Sequence, residues 1–66
     1  MTDRDRTMIV AAHHRAAVTV RMGAHTVPAT LTGWHAGDTR RGPCARVVLV
    51  GGRTRTVAQD AVVLPR

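Results

Sequence analysis

From position 17 onward the chain alternates between apolar and polar residues. In "AVTVRM" (17–22), Val18, Val20 and Met22 fall on one side of a two-residue period and Thr19 and Arg21 on the other. That is the pattern of a strand with one buried face. "GA" (23–24) permits a turn, and "HTVPATLTGWH" (25–35) resumes the alternation, with Val27, Ala29 and Leu31 against Thr26, Thr30 and Thr32. Pro28 cannot donate a ladder hydrogen bond, which predicts an edge position or a bulge, and Gly33 predicts a bend. "CARVVLV" (44–50) is apolar on both faces over 47–50, as the most central strand of a sheet would be. Gly51 and Gly52 then supply a hairpin turn, and "RTRTV" (53–57) is the return strand. "AQDA" (58–61) makes a single tight turn before a last short strand in "VVLP" (62–65). The hairpin register stays open. A two-residue turn sets Arg53 opposite Val50 and Arg55 opposite Val48, whereas a three-residue loop shifts every pair by one. In both cases Arg53 and Arg55 share a face.

Before position 17 the pattern is weaker. In "TDRDR" (2–6), Asp3 and Asp5 sit beside Arg4 and Arg6, so residues 1–7 read as a flexible charged terminus and 8–66 as a single domain. "TMIVAAHHRAA" (7–17) admits two readings. Ile9, Ala12, His13 and Ala16 have helical spacing, and a strand over 8–12 is equally available. Met8, Ile9 and Val10 lie outside the main alternation, which makes them candidates for contact with a neighbouring subunit. "AGDTRRGP" (36–43) is the largest cluster of turn residues, a polar loop with Arg40 and Arg41 near its tip.

Five short strands with a one-turn break before the last, in "VTVRMG", "VPATLTGWH", "ARVVLVGG", "RTRTV" and "AQDAVVL", cover 18–64. This order resembles the SH3-like small β-barrels of the Tudor and KOW type, whose "D-x-V-x-L"-like ending has its counterpart in "DAVVL" (60–64). The resemblance implies an all-β chain, a single five-stranded SH3-like barrel with a short N-terminal extension. A five-stranded OB-type barrel is the competing architecture, although it usually takes a longer chain and a helix. The departures from the family remove functions. Methyl-reading Tudor domains need a cage of aromatic faces, and proline-rich peptide grooves are aromatic-lined. With no Phe, no Tyr and only Trp34, both roles fall, and base stacking has at most one platform.

Length and charge narrow the rest. A domain of 66 residues buries only about 60% of its unfolded surface and is marginal alone. Cys44 is the single cysteine, so no internal disulfide helps, and self-association or a place in a larger assembly is the expected support. Ten arginines against four aspartates leave a net charge of +6, without lysine or glutamate. Such a charge favours polyanions or acidic protein faces. No apolar stretch approaches the roughly 20 residues of a membrane span. The opening residues do not read as a signal peptide, so no membrane contact and a cytoplasmic location, or incorporation into an assembly built there, are expected.

The chain carries no nucleophile elbow, phosphate loop or zinc-hydrolase spacing. Cys44 and His35 could approach each other, but a barrel this small offers little room for a substrate, and the chain reads as a non-enzyme. His13, His14, His25, His35 and Cys44 lack a recognised metal-ligand spacing, and no cofactor is expected. Arg40, Arg41, Arg46, Arg53 and Arg55 all fall between 40 and 55. Guanidinium forks match phosphate geometry, so the leading expectation is a basic binding module that holds DNA or RNA by its backbone. A solvated basic surface explains the same residues. The alternative role is a structural or adaptor subunit of a protein assembly, for example in a virus, with Trp34, Met8, Ile9 and Val10 at its interface. Trp34 would otherwise be the one large core residue.

Overall fold

The first element is a helix, α1 (Asp3–His13), and its boundaries follow from local chemistry. Thr2 and Asp5 form a reciprocal capping box: Asp5 N–H donates to Thr2 Oγ1 and Thr2 N–H donates to Asp5 Oδ2, each at 3.1 Å. Asp3 and Asp5 also complement the positive end of the helix dipole. Arg15, at φ 51°, turns the chain out of the helix. Its N–H reaches the Ala12 carbonyl and the Ala16 N–H reaches the Ala11 carbonyl, the paired bonds of a Schellman cap. The helix thus takes in most of the stretch whose charge pattern suggested a flexible tail, and it decides the helix-or-strand question over 8–13. Met8 and Ala12 are its buried residues, while His13 is exposed. In this computed structural model residues 2–38 and 40–65 are described.

Five antiparallel strands follow: β1 (Ala17–Met22), β2 (His25–His35), β3 (Cys44–Leu49), β4 (Thr54–Ala58) and β5 (Val62–Val63). A single 3₁₀ turn, Gln59–Ala61, separates the last two. The sheet order is β4-β3-β2-β1-β5. β2 and not β3 is therefore the centre, because its 11 residues pair with β1 along one part and β3 along the other. Pro28 lies in the part of β2 that meets β1 alone, since pairing with β3 begins at Ala29. The bend expected at Gly33 is a bulge: the β2–β3 register shifts between Leu31 and Gly33.

The β3–β4 hairpin takes the longer loop. Leu49 N–H donates to the Arg53 carbonyl at 2.7 Å, and Gly52 N–H donates back to the Leu49 carbonyl at 3.0 Å. Gly51 and Gly52 at φ 101° and 89° make this turn possible. Arg55 is consequently opposite Val47, and Thr54 opposite Val48.

One face of the sheet is packed. Val18, Val20, Ala29, Leu31, Ala45, Val47 and Val62 line it, and α1 covers it with Met8 and Ala12. The other face is set with Thr19, Thr26, Thr30, Arg46, Thr54 and Thr56. The architecture is mostly β with one helix over an open sheet, so the expectation of an all-β closed barrel is corrected on both counts. The open edge has a physical cause. The apolar rows of the packed face run Ala29–Leu49 and Leu31–Val47 and end, at the β4 border, on Arg53 and Arg55. Closure would bury these guanidinium groups, a cost that inward-pointing edge charges impose in general. The strand that would have to meet β4, β5, is only two residues long.

Candidate nucleic-acid interface

Arg40 and Arg41 stand on the loop between β2 and β3, and this loop is internally bonded. Asp38 Oδ1 accepts the backbone N–H groups of both Arg40 and Arg41, each at 2.8 Å. Asp38 N–H in turn donates to the Arg41 carbonyl at 2.9 Å. The Arg41 and Arg40 N–H groups hold the Asp38 carboxyl below the usual carboxylate range. Gly37 completes the arrangement at φ 84°, where an added Cβ would stand 2.2 Å from the Arg41 carbonyl oxygen. These bonds tie Asp38 to the backbone of Arg40 and Arg41 while both arginines remain exposed.

The other candidate arginines are placed by register. Arg46 is exposed at mid-β3, opposite Gly33 and Thr56 on the threonine-rich face. Arg53 and Arg55 share a face, as expected, but it is the packed face at its uncovered border. The five residues therefore do not form one patch. Arg40 and Arg41 precede β3 and Arg53 follows its far end, a separation of roughly 17 Å for a strand of this length. Arg46 points away from Arg53 and Arg55. What the structure does bring together is a border: Arg41 lines a groove shared with Val57 and Ala58 of β4, Arg55 lies further along the same strand, and Arg53 immediately precedes it. Among the described residues, side-chain bonds from arginine are made only by Arg21, to the Asp60 carbonyl at 2.8 Å, and Arg4, 4.0 Å from the Asp60 carboxylate.

The residues suggested for a protein interface separate as well. Met8 is 1% exposed and belongs to the chain's own core, because helical geometry turns it inward with Ala12. Ile9 is half-buried, and Val10, 56% exposed, is the one that faces solvent. Trp34 sits at the margin of the core. Its Nε1–H donates to Gln59 Oε1, and Gln59 Nε2–H donates to Asp5 Oδ1 at 3.0 Å. The Gln59 amide, followed by the Thr2 N–H, keeps the Asp5 carboxyl below its ordinary value. This polar chain ties α1 to the end of β4. The sequence hints only that a lone tryptophan packed against a core needs an acceptor for its N–H; it does not mark Gln59 as that acceptor.

His35 and Cys44 are directly opposite in the β2–β3 register, but His35 Nδ1 accepts the Gly37 N–H at 2.9 Å. Among the described residues no three His, Cys, Asp or Glu side chains gather as metal ligands, and no helix is long and apolar enough to cross a membrane. No family model, curated protein or solved structure matches the chain. A functional reading therefore rests on the arginines and on the sheet that carries them.

Proposed function

We propose that this chain is a small non-catalytic binding module that holds nucleic acid by its phosphates. Arg40 and Arg41 act at one end of the β4 border and Arg53 and Arg55 along it, with Arg46 on the opposite face as a secondary contact. One observation carries this reading: all five arginines are exposed and make no side-chain hydrogen bond or ion pair among the described residues, while Asp38 and Asp5 are engaged by backbone and amide donors. Recognition would be of the backbone, since Trp34 has its N–H engaged and no other ring of its kind is present to stack on bases. The one-turn break before β5 and the pairing of β5 back onto β1 support kinship with SH3-like small barrels in an opened form.

The experiment is binding of labelled duplex DNA and single-stranded RNA across a salt series, with Arg40→Ala/Arg41→Ala alongside. Affinity should fall steeply with salt. The double variant should reduce the logarithmic slope by about two, since each phosphate neutralised on a duplex accounts for about 0.9 of it. Absence of binding to either polymer at low salt would refute the reading. The second reading, a structural or adaptor subunit in an assembly, is supported by the two open sheet edges and by exposed Val50 and Val63.

A further inference from the structure

The β4 edge carries more than charge. In the alternation of an antiparallel ladder, the Leu49–Arg53 bond means that Arg53, Arg55 and Val57 turn their backbone groups toward β3. Thr54, Thr56 and Ala58 turn theirs outward, where the sheet order places no further strand among the described residues. Side chains alternate in step with this: Arg53, Arg55 and Val57 point to the packed face, Thr54 and Thr56 to the other. At Val57 this edge meets a groove of about 370 Å³ that Thr56, Val57 and Ala58 line together with Arg41, Cys44 and Asp60.

We infer that the β4 edge is a docking site for an extended acidic peptide segment of another protein, added as a sixth strand. The backbone of such a segment takes up the outward N–H and C=O groups of Thr54, Thr56 and Ala58. Its side chains on the packed face meet Arg53, Arg55 and Val57 in turn. The matching pattern is a carboxylate, a spacer, a carboxylate, a spacer and an apolar residue. The carboxylates lie at the arginine end, away from Asp60, and the apolar side chain lies at the groove. A second copy of this chain fits less well. Antiparallel pairing of β4 with itself about Thr56 sets the two Arg55 side chains on one diagonal, roughly 7 Å apart, between molecules that each carry a charge of +6. A phosphate backbone can accept from the outward N–H groups but offers no donors to the carbonyls that alternate with them, whereas a peptide strand matches both. The inference does not rest on the nucleic-acid reading, but the two share Arg53 and Arg55, so an acidic segment at this edge would displace phosphate from them.

The test uses a short synthetic peptide in which aspartate and threonine alternate and end on valine, made in both chain directions. An isomer with its aspartates in one block is the control. One of the alternating peptides should bind, and Arg53→Gln/Arg55→Gln should weaken it about tenfold, as the removal of two exposed ion pairs implies. Thr56→Pro removes one outward N–H that β3 does not use and should weaken binding about fivefold. Bound peptide should slow amide exchange at Thr54, Thr56 and Ala58 in the unaltered protein, which does not depend on any variant folding. Absence of binding, equal binding of the blocked isomer, or binding without amide protection would each overturn the inference. An oligonucleotide that protects these amides where the peptides do not would assign the edge to nucleic acid and overturn it too. Arg40→Ala, at an exposed arginine that does not line the groove, should weaken oligonucleotide binding and leave peptide binding intact, which separates this failure from that of the phosphate reading.

Discussion

Replacing Gln59 by methionine tests what joins α1 to the sheet. Methionine keeps the length of the side chain and removes both polar interactions. Gln59 is 5% exposed and is the one buried polar residue among those described. Without its oxygen, the half-buried Trp34 N–H has no acceptor, which costs about 2 kcal/mol once the desolvation of an unpaired donor is counted. The bond to Asp5, which is part-buried, adds to this. For a domain of this size each kilocalorie moves the melting temperature by about 4–8 °C, so Gln59→Met should melt about 8–16 °C lower. Thermal unfolding followed by circular dichroism reads the shift. Trp34→Phe removes the orphaned donor, so the Gln59→Met penalty should shrink in its background. A second readout is acid sensitivity. The folded pKa of Asp5 is depressed, so its stabilisation is full above the ordinary aspartate value near 4 and is lost as pH falls through the folded value. Because Gln59 is the largest cause of that depression, the variant's melting temperature should depend less on pH between about 5 and 2. A drop of less than about 3 °C, with an unchanged pH profile, would refute the claim that this amide fastens the helix.

Three further changes follow from single positions. Arg15→Gly places glycine at the one described non-glycine residue with positive φ and should raise the melting temperature by about 4–8 °C, the relief of roughly 1 kcal/mol. Gly37→Ala forces a Cβ against the Arg41 carbonyl. The melt should fall, the loop amides of Arg40 and Arg41 should shift in NMR spectra, and unchanged spectra would contradict the close packing described. Leu31→Ala removes a side chain with no exposure at the centre of the sheet. It should cost about 2–5 kcal/mol and leave much of the protein unfolded at 37 °C by circular dichroism.

The strands were legible because their signal is local. The alternation Val18–Val20–Met22 and Val27–Ala29–Leu31 marks β1 and β2, and two adjacent glycines mark the hairpin. The helix was ambiguous because its packed face is thin, with only Met8 and Ala12 buried, and because its start depends on a capping box in which threonine and aspartate resemble an ordinary charged tail. Barrel closure was not legible at all. It turns on whether Arg53 and Arg55 face inward, which a loop length of two or three residues decides. The scatter of the arginines has the same origin: residues close in sequence lie at opposite ends of β3 or on opposite faces of it. The Trp34–Gln59–Asp5 chain joins positions far apart in sequence, which no local pattern reveals.

The bond between Asp5 and Gln59 spans 54 positions, nearly the length of the described chain, and this has a consequence for the order in which the molecule assembles. Each hairpin of the sheet closes a short stretch of chain and can form with little loss of entropy. The helix can already lay Met8 and Ala12 on β2, a near neighbour in the chain, but the bond from Asp5 must wait until Gln59 has been carried into place after β4. That polar tie is then the last contact to form. Until it does, the start of α1 is not fastened to the far end of the chain, and the cover over Leu31 can lift and open the apolar face to whatever else is in solution.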